Sequence, residues 1–391
     1  MDTRWMDHQL AEIKRKELYR TLRTMESAPK STGILNGTEK LICASNNYLG
    51  LAADERLIEA ATEAMRKYGV GSTGSRLITG NTAIHEQLER RLASFKQAEA
   101  AIIYSSGYLA NIGVLSSLAQ KGDIIFSDEL NHASIIDGCR LSRAEKSIYS
   151  HVNLVDLESR LQQSAHFRRR FIVTDAVFSM DGNIAPLIEF KRLAKAYDAY
   201  LIVDDAHGTG VLGTNGRGTC DYLGVSPDVY IGTLSKGLGT EGGYVVGSQT
   251  LIDLLRNVSR SFIFQTAMSP AVAAATLRSI DILESEEGKE RRHHLLHLSA
   301  HLRARLKEIG FHVMGDVTPI IPVLIGDADR TLVFAQRLQE ENIFAPAIRP
   351  PTVPVGKSRI RICLTAQHSM EQVETIARVM NKVAQELIIF S

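Results

Sequence analysis

The chain has 391 residues, 44% of them hydrophobic and 23% charged, with a formal net charge of +1. This is length for roughly two domains around a sizeable core, and the balanced charge leaves no electrostatic footprint for nucleic acid. Cys43, Cys139, Cys220 and Cys363 lack metal-site or disulfide-framework spacing, and no apolar run reaches the ~18 residues of a membrane span, so a reducing, cytoplasmic location without membrane attachment is expected.

Residues 2–25 carry charges throughout and read as an amphipathic helix rather than a signal peptide. A turn-rich connector with Pro29, Gly33 and Gly37 leads to a short strand at 41–44 and a polar loop, Ser45 to Gly50. Asp54 is placed to cap a helix running to about Tyr68. The glycine-rich stretch Gly69 to Asn81 has a phosphate loop's composition but not its spacing, and an ordinary connector is as good a reading.

From 84 to 250 short apolar runs alternate with helical segments. The runs are 101–104, 124–126, 147–149, 171–174, 200–203, 229–231 and 244–246. Such alternation predicts an α/β fold with a mostly parallel seven-stranded sheet covered by helices on both faces. Beyond 260 a long helical stretch (271–307) precedes strand signals at 320–325 and 359–364 and helices at 328–341 and 370–387, a smaller α+β domain. The expected division is 1–45 for the N-terminal helix and connector, 46–285 for the large domain and 286–391 for the small one.

In parallel sheets ligands gather beyond the C-terminal strand ends, so the residues there carry the functional reading. After 101–104 comes Ser105-Ser106-Gly107-Tyr108 entering a helix, an N-terminus suited to a phosphate or simply a capped one. After 124–126 stands His132, placed to stack on an aromatic ring or to serve as a loop residue. Ser179 follows the 171–174 strand. The run Leu201-Ile202-Val203-Asp204-Asp205-Ala206-His207 ends a buried strand in a carboxylate, which costs several kcal/mol unless paired; a protonated pyridine nitrogen is a fitting partner. Metal ligation by Asp204, Asp205 and His207 lacks a further cluster, so no metal is expected. Thr233-Leu234-Ser235-Lys236-Gly237 delivers a lysine among small residues. Taken alone it is a surface lysine; beside an anion-binding turn and an Asp-x-x-His strand end it fits a lysine that bonds covalently to pyridoxal phosphate.

The runs SNNYLGL (45–51), SSGYLAN (105–111), LNHAS (130–134), VFSMDG (177–182), VDDAHGTGVLG (203–213) and TLSKGLG (233–239) together resemble the α-oxoamine synthase family of fold-type I pyridoxal phosphate enzymes. The resemblance covers nearly the whole chain. It implies that Lys236 carries the cofactor, that Asp204 pairs with its ring nitrogen, that His132 stacks on the ring and that His207 bonds its oxygen. It implies further contacts to the cofactor from Ser179, and from Gly107, Tyr108 and Thr233 near the phosphate. Asn46 and Arg349 are implied for the amino-acid carboxylate, and Arg20, with Arg23 as a neighbouring candidate, and Thr352 for the acyl substrate. The run AIRPPTVP (347–354) is the feature that directs the expectation to L-alanine and pimeloyl-CoA or a pimeloyl acyl carrier protein. A glycine C-acetyltransferase reaction is the alternative. A homodimer is implied, with Gly71 to Ser75 serving the partner's phosphate. Asp175 departs from the glutamate usual in the family and is assigned no role.

Overall fold

The computed structural model describes residues 2–16 and 18–389. Its central sheet has seven strands: β3 (Ala100–Tyr104), β4 (Ile124–Asp128), β5 (Glu145–Tyr149), β6 (Arg170–Asp175), β7 (Ala199–Asp204), β8 (Val229–Thr233) and β9 (Gly243–Gly247). They lie in the order β3-β9-β8-β7-β6-β4-β5, and β9 alone among them runs antiparallel to its neighbours. All seven expected apolar runs are strands. Except in the edge strand β5, alternate residues of the strands enter two separate apolar layers. Ile103, Phe126, Ile172 and Val203 pack on one face, and Ile102, Ile125, Val173 and Ile202 on the other. A strand buried on both faces reads as an unbroken apolar run.

Two small sheets accompany it. β1 (Thr32–Leu35) and β2 (Thr38–Ile42) form a hairpin, and β2 pairs in parallel with β11 (Ile343–Phe344). β10 (Ile320–Gly326), β13 (Ser358–Cys363) and β12 (Ala347–Ile348) form an antiparallel sheet. The chain's beginning is thus stitched to its C-terminal part, and Lys40 Nζ reinforces the seam with 2.8 Å bonds to Gln339 O and Asn342 Oδ1.

Two helical expectations are corrected. The first helix spans Arg4–Arg15 and has no buried residue, so no packing extends it across 18–25, where Leu22 is fully exposed. The expected 271–307 helix is two helices, Pro270–Glu284 and Glu286–Ile309. Ser285 between them is extended, and its side chain accepts from Gly288 N, a cap that satisfies an orphan donor of the second helix. Asp54 caps the helix Glu55–Tyr68 as expected.

Candidate active site

The parallel arrangement brings the C-terminal ends of β3, β4, β6, β7 and β8, and the N-terminal end of antiparallel β9, to one edge. Lys236 lies three residues past β8. Its Nζ is 2.7 Å from His207 Nε2, and the amine is so deeply set that burial lowers its pKa to about 8, with Asp204 and Asp175 opposing the drop. His207 Nδ1 meets Tyr48 Oη at 2.6 Å, and Tyr48 donates on to Asn46 Oδ1 at 3.2 Å. With the Lys236 ammonium donating to Nε2, the imidazole carries its proton on Nδ1. Burial, then the Lys236, Arg361 and His132 charges, hold His207 well below the usual histidine range, which keeps the ring neutral.

A second chain of bonds ties the strand-end carboxylates together. Asn111 Nδ2 donates to Asp204 Oδ2 and, at 2.9 Å, to Ser134 Oγ. Ser134 Oγ meets His132 Nδ1 at 2.7 Å, and His132 N donates to Asp175 Oδ2 at 2.7 Å. Asp175 and Asp204 are register partners on β6 and β7. Burial and the neighbouring Asp204 charge push the Asp175 carboxyl well above its usual range. Burial pulls His132 down, opposed by Asp204. Asp175, assigned no role in the sequence, is therefore a full member of the site, with Asn111, Ser134 and Tyr48. Asn111 and Ser134 are the last residues of two of the motifs already quoted, and their polar ends were the available signal.

Gly107 opens the helix Gly107–Leu118, with Ser106 as its cap. A Cβ on Gly107 would lie 3.2 Å from Thr233 Cβ, and one on Gly243 would lie 2.4 Å from Ser106 O. Gly243 is thus required by close backbone approach, while Gly107 sits tightly against the Thr233 side chain. The first-turn N–H groups of Gly107 and Tyr108 have no intrahelical acceptor and point with the helix dipole, the arrangement an anion needs. Thr233 Oγ1 donates to Gly242 O at 2.8 Å. The Tyr108 ring stands edge-on to His132, 6.5 Å between centroids, and its hydroxyl bonds Asp137.

The remaining expected residues are less gathered. Ser179 is half-buried, and its carbonyl oxygen accepts from Arg361 Nε. Arg361, buried on β13, also reaches Asn46 Oδ1 at 3.4 Å; sequence reading missed it. Arg349 follows β12 half-buried, and Thr352 N donates to Arg349 O at 3.1 Å in the next turn, where the Thr352 side chain is exposed. Arg20 is exposed outside any helix or strand, not on a helix as expected, while Arg23 stacks on Phe344, 5.0 Å to the ring centroid.

The donor set fits pyridoxal phosphate. A helix N-terminus with glycines faces the phosphate position. A buried carboxylate at the end of β7 awaits a cationic nitrogen. Asn111 Oδ1 is a buried oxygen without a partner. A deeply set amine lies beside a neutral imidazole.

The chain matches the family model Aminotransferase class I and II over residues 38–380. It is 52% identical to 8-amino-7-oxononanoate synthase 2 of Bacillus subtilis (strain 168) over 383 residues, 98% of each chain. It is 55% identical to a putative 8-amino-7-oxononanoate synthase of Bacillus licheniformis over 384 residues, again 98% of each. Among solved structures, serine palmitoyltransferase of Sphingomonas wittichii is similar with a TM-score of 0.92, 33% identity and coverage of 99% of this chain and 98% of that one. The 8-amino-7-oxononanoate synthase of Francisella tularensis is similar with a TM-score of 0.77, 28% identity and coverage of 89% and 98%. The chain belongs to the class I and II aminotransferase family of pyridoxal phosphate enzymes and, within it, to the 8-amino-7-oxononanoate synthases.

Proposed function

We infer that the protein condenses L-alanine with a pimeloyl thioester to give 8-amino-7-oxononanoate, releasing carbon dioxide and the free thiol carrier, a step of biotin synthesis. The observation that carries this is the Lys236 amine held on His207 at 2.7 Å beside the Asp204 strand end, in a chain about half identical to such synthases over nearly its full length.

Bound at this edge, pyridoxal phosphate supplies a ring that draws off the electrons left when the amino-acid Cα–H bond breaks. Lys236 would hold it covalently, and Gly107, Tyr108 and Thr233 would hold its phosphate. Asp204 would keep the ring nitrogen protonated, with Asn111 fixing the carboxylate's direction. His132, locked by Ser134 and Asp175, would cover the ring, and Ser179 and His207 would bond its oxygen. The Lys236 amine would move the Cα proton of L-alanine. Its burial suits that role, because a base works best with a pKa near the working pH. Asn46 and Arg361, with Arg349 beyond them, would grip the alanine carboxylate; a planar guanidinium matches it with two parallel bonds. Thr352 and Arg20 are assigned to the pimeloyl end.

The working form we assign is a homodimer in the cytoplasm. Val70, Leu77, Ile78 and Phe264 are apolar and more than half exposed around the 69–81 loop, a patch suited to a second copy. The four cysteines are unpaired and buried.

The test is a visible spectrum of the purified protein with pyridoxal phosphate, followed by product analysis. L-alanine with pimeloyl-CoA, or with a pimeloyl carrier protein, yields the ketone product and carbon dioxide. Turnover of glycine with acetyl-CoA and not of the pimeloyl donors would replace this reading with the sibling reaction.

A further inference from the structure

Behind the active site lies a second buried charge cluster that the reaction above does not use. Lys96 ends the helix Ala83–Lys96 and drives its ammonium under the sheet. Nζ lies 2.8 Å from Thr209 Oγ1 and also bonds Arg217 O and Tyr230 Oη. It sits over the Tyr230 ring at 4.1 Å from the centroid. Tyr230 Oη donates in turn to Asp205 Oδ2, and Asp205 accepts from Thr219 N at 2.7 Å and Thr219 Oγ1 at 2.6 Å. Thr209 Oγ1 meets Tyr244 Oη at 3.0 Å. Asp205, Cys220, Asp221 and Arg217 are the charged and titratable groups acting on the amine besides the phenols.

These bonds converge on one turn. Asp205 and Thr209 bracket His207, and the same turn presses on the backbone after Lys236. A Cβ on Gly237 would lie 2.4 Å from Thr209 O, and one on Gly210 would lie 3.0 Å from Gly237 Cα. Tyr244 closes the third side, since a Cβ on Gly232 would lie 2.3 Å from its hydroxyl. Interiors this tightly packed transmit displacement rather than absorb it.

We propose that Lys96 is a positioning residue for the reaction: linked to Asp205 through the Tyr230 hydroxyl and bonded to Thr209, it fixes the 205–210 turn and so sets His207 against Lys236. The inference rests on the reading of Lys236 as the cofactor lysine. It leaves two carboxylates at the end of β7 with separate partners, Asp204 facing the site and Asp205 facing Thr219 and Tyr230.

The experiment compares wild type, Lys96→Met, Thr209→Val and Lys96→Met/Asp205→Asn. The wild-type visible band with pyridoxal phosphate tests the Lys236 reading by itself, so the two readings fail separately. On the holoenzymes one measures the pH midpoint of that band, kcat and the KM for L-alanine; on the apoproteins, amide exchange over 205–219. Lys96→Met is expected to move the midpoint by at least about half a pH unit and to lower kcat ~10-fold or more, since small misplacements of reacting groups are costly. KM stays within about twofold, because no substrate contact is lost. Thr209→Val shifts the midpoint in the same direction. The double variant regains exchange protection, because no buried charge is left unpaired, but keeps the shifted midpoint. Faster exchange in Lys96→Met with midpoint and kcat unchanged would reduce Lys96 to a structural residue and overturn the proposal. Should Lys96→Met not fold, Thr209→Val decides: an unmoved midpoint overturns it equally.

Discussion

Replacing Lys236 by methionine is expected to strengthen the apoprotein near neutral pH while abolishing its chemistry. The amine's pKa falls from its ordinary 10.5 to about 8 on folding. That corresponds to ~3 kcal/mol against the charged form; the side chain is partly open to the cleft, and screening leaves ~2 kcal/mol. The bond to His207 is lost in the variant, at a cost of ~1 kcal/mol. The sign follows from proton counting. At pH 7 both folded and unfolded chains carry the charge, and the folded one holds it in a poorly hydrated place. Between 8 and 10.5 the unfolded chain binds more protons, so wild-type stability rises with pH across that window. Above it the penalty is gone and only the His207 bond remains. Lys236→Met is therefore ~1 kcal/mol more stable than wild type at pH 7 and ~1 kcal/mol less stable above pH ~10.5. Methionine keeps the stem's volume and opens no cavity. Urea unfolding of both apoproteins at the two pH values measures the crossing. A difference that does not change between them would refute the claim that the amine is held in a desolvated place.

Asp204→Asn should leave a folded protein that still takes up pyridoxal phosphate but turns over ~100-fold or more slowly, because a carboxylate aimed at a developing charge is lost; wild-type kcat would remove Asp204 from the site. Arg361→Met should raise the KM for L-alanine ~10-fold or more, the worth of a charge-assisted bond, with kcat changed less. An unchanged KM would return the carboxylate contact to Arg349 alone.

The central sheet was legible because its strands, the edge strand β5 apart, are buried on both faces and read as unbroken apolar runs. The strand-end groups were legible because sheet topology places those ends at one edge, so Lys236, His207, Asp204 and His132 could be grouped before any distance was known. Legibility failed where a residue acts through a partner distant in sequence. Arg361 lies 315 positions from Asn46, inside a strand whose apolar neighbours gave no sign that one side chain turns into the site. Asp175 was set aside for its short side chain, yet its carboxylate needs only to reach the His132 amide. The first helix was extended too far because its charge pattern runs on past Arg15, and only its absence of buried residues explains the stop. The break at Ser285 was readable in retrospect. Serine followed by Glu286 and Glu287 is a helix start inside an otherwise continuous helical run.

The pair Asp204-Asp205 shows why a strand end can serve two ends at once. Successive side chains on a strand point to opposite faces, so two adjacent carboxylates need not share an environment. Asp204 is met by Asn111 from the helix Gly107–Leu118. Asp205 is met by Thr219 and by Tyr230, itself bonded to Lys96, from the other side. A metal would need both carboxylates on one side with His207; instead His207 is occupied by Lys236 and Tyr48. Neutralising Asp205 from within the protein leaves Asp204 as the carboxylate held ready for a cationic nitrogen brought by a ligand. The division follows from alternation, so inserting one residue between Val203 and Asp204 should exchange the two environments and abolish cofactor uptake.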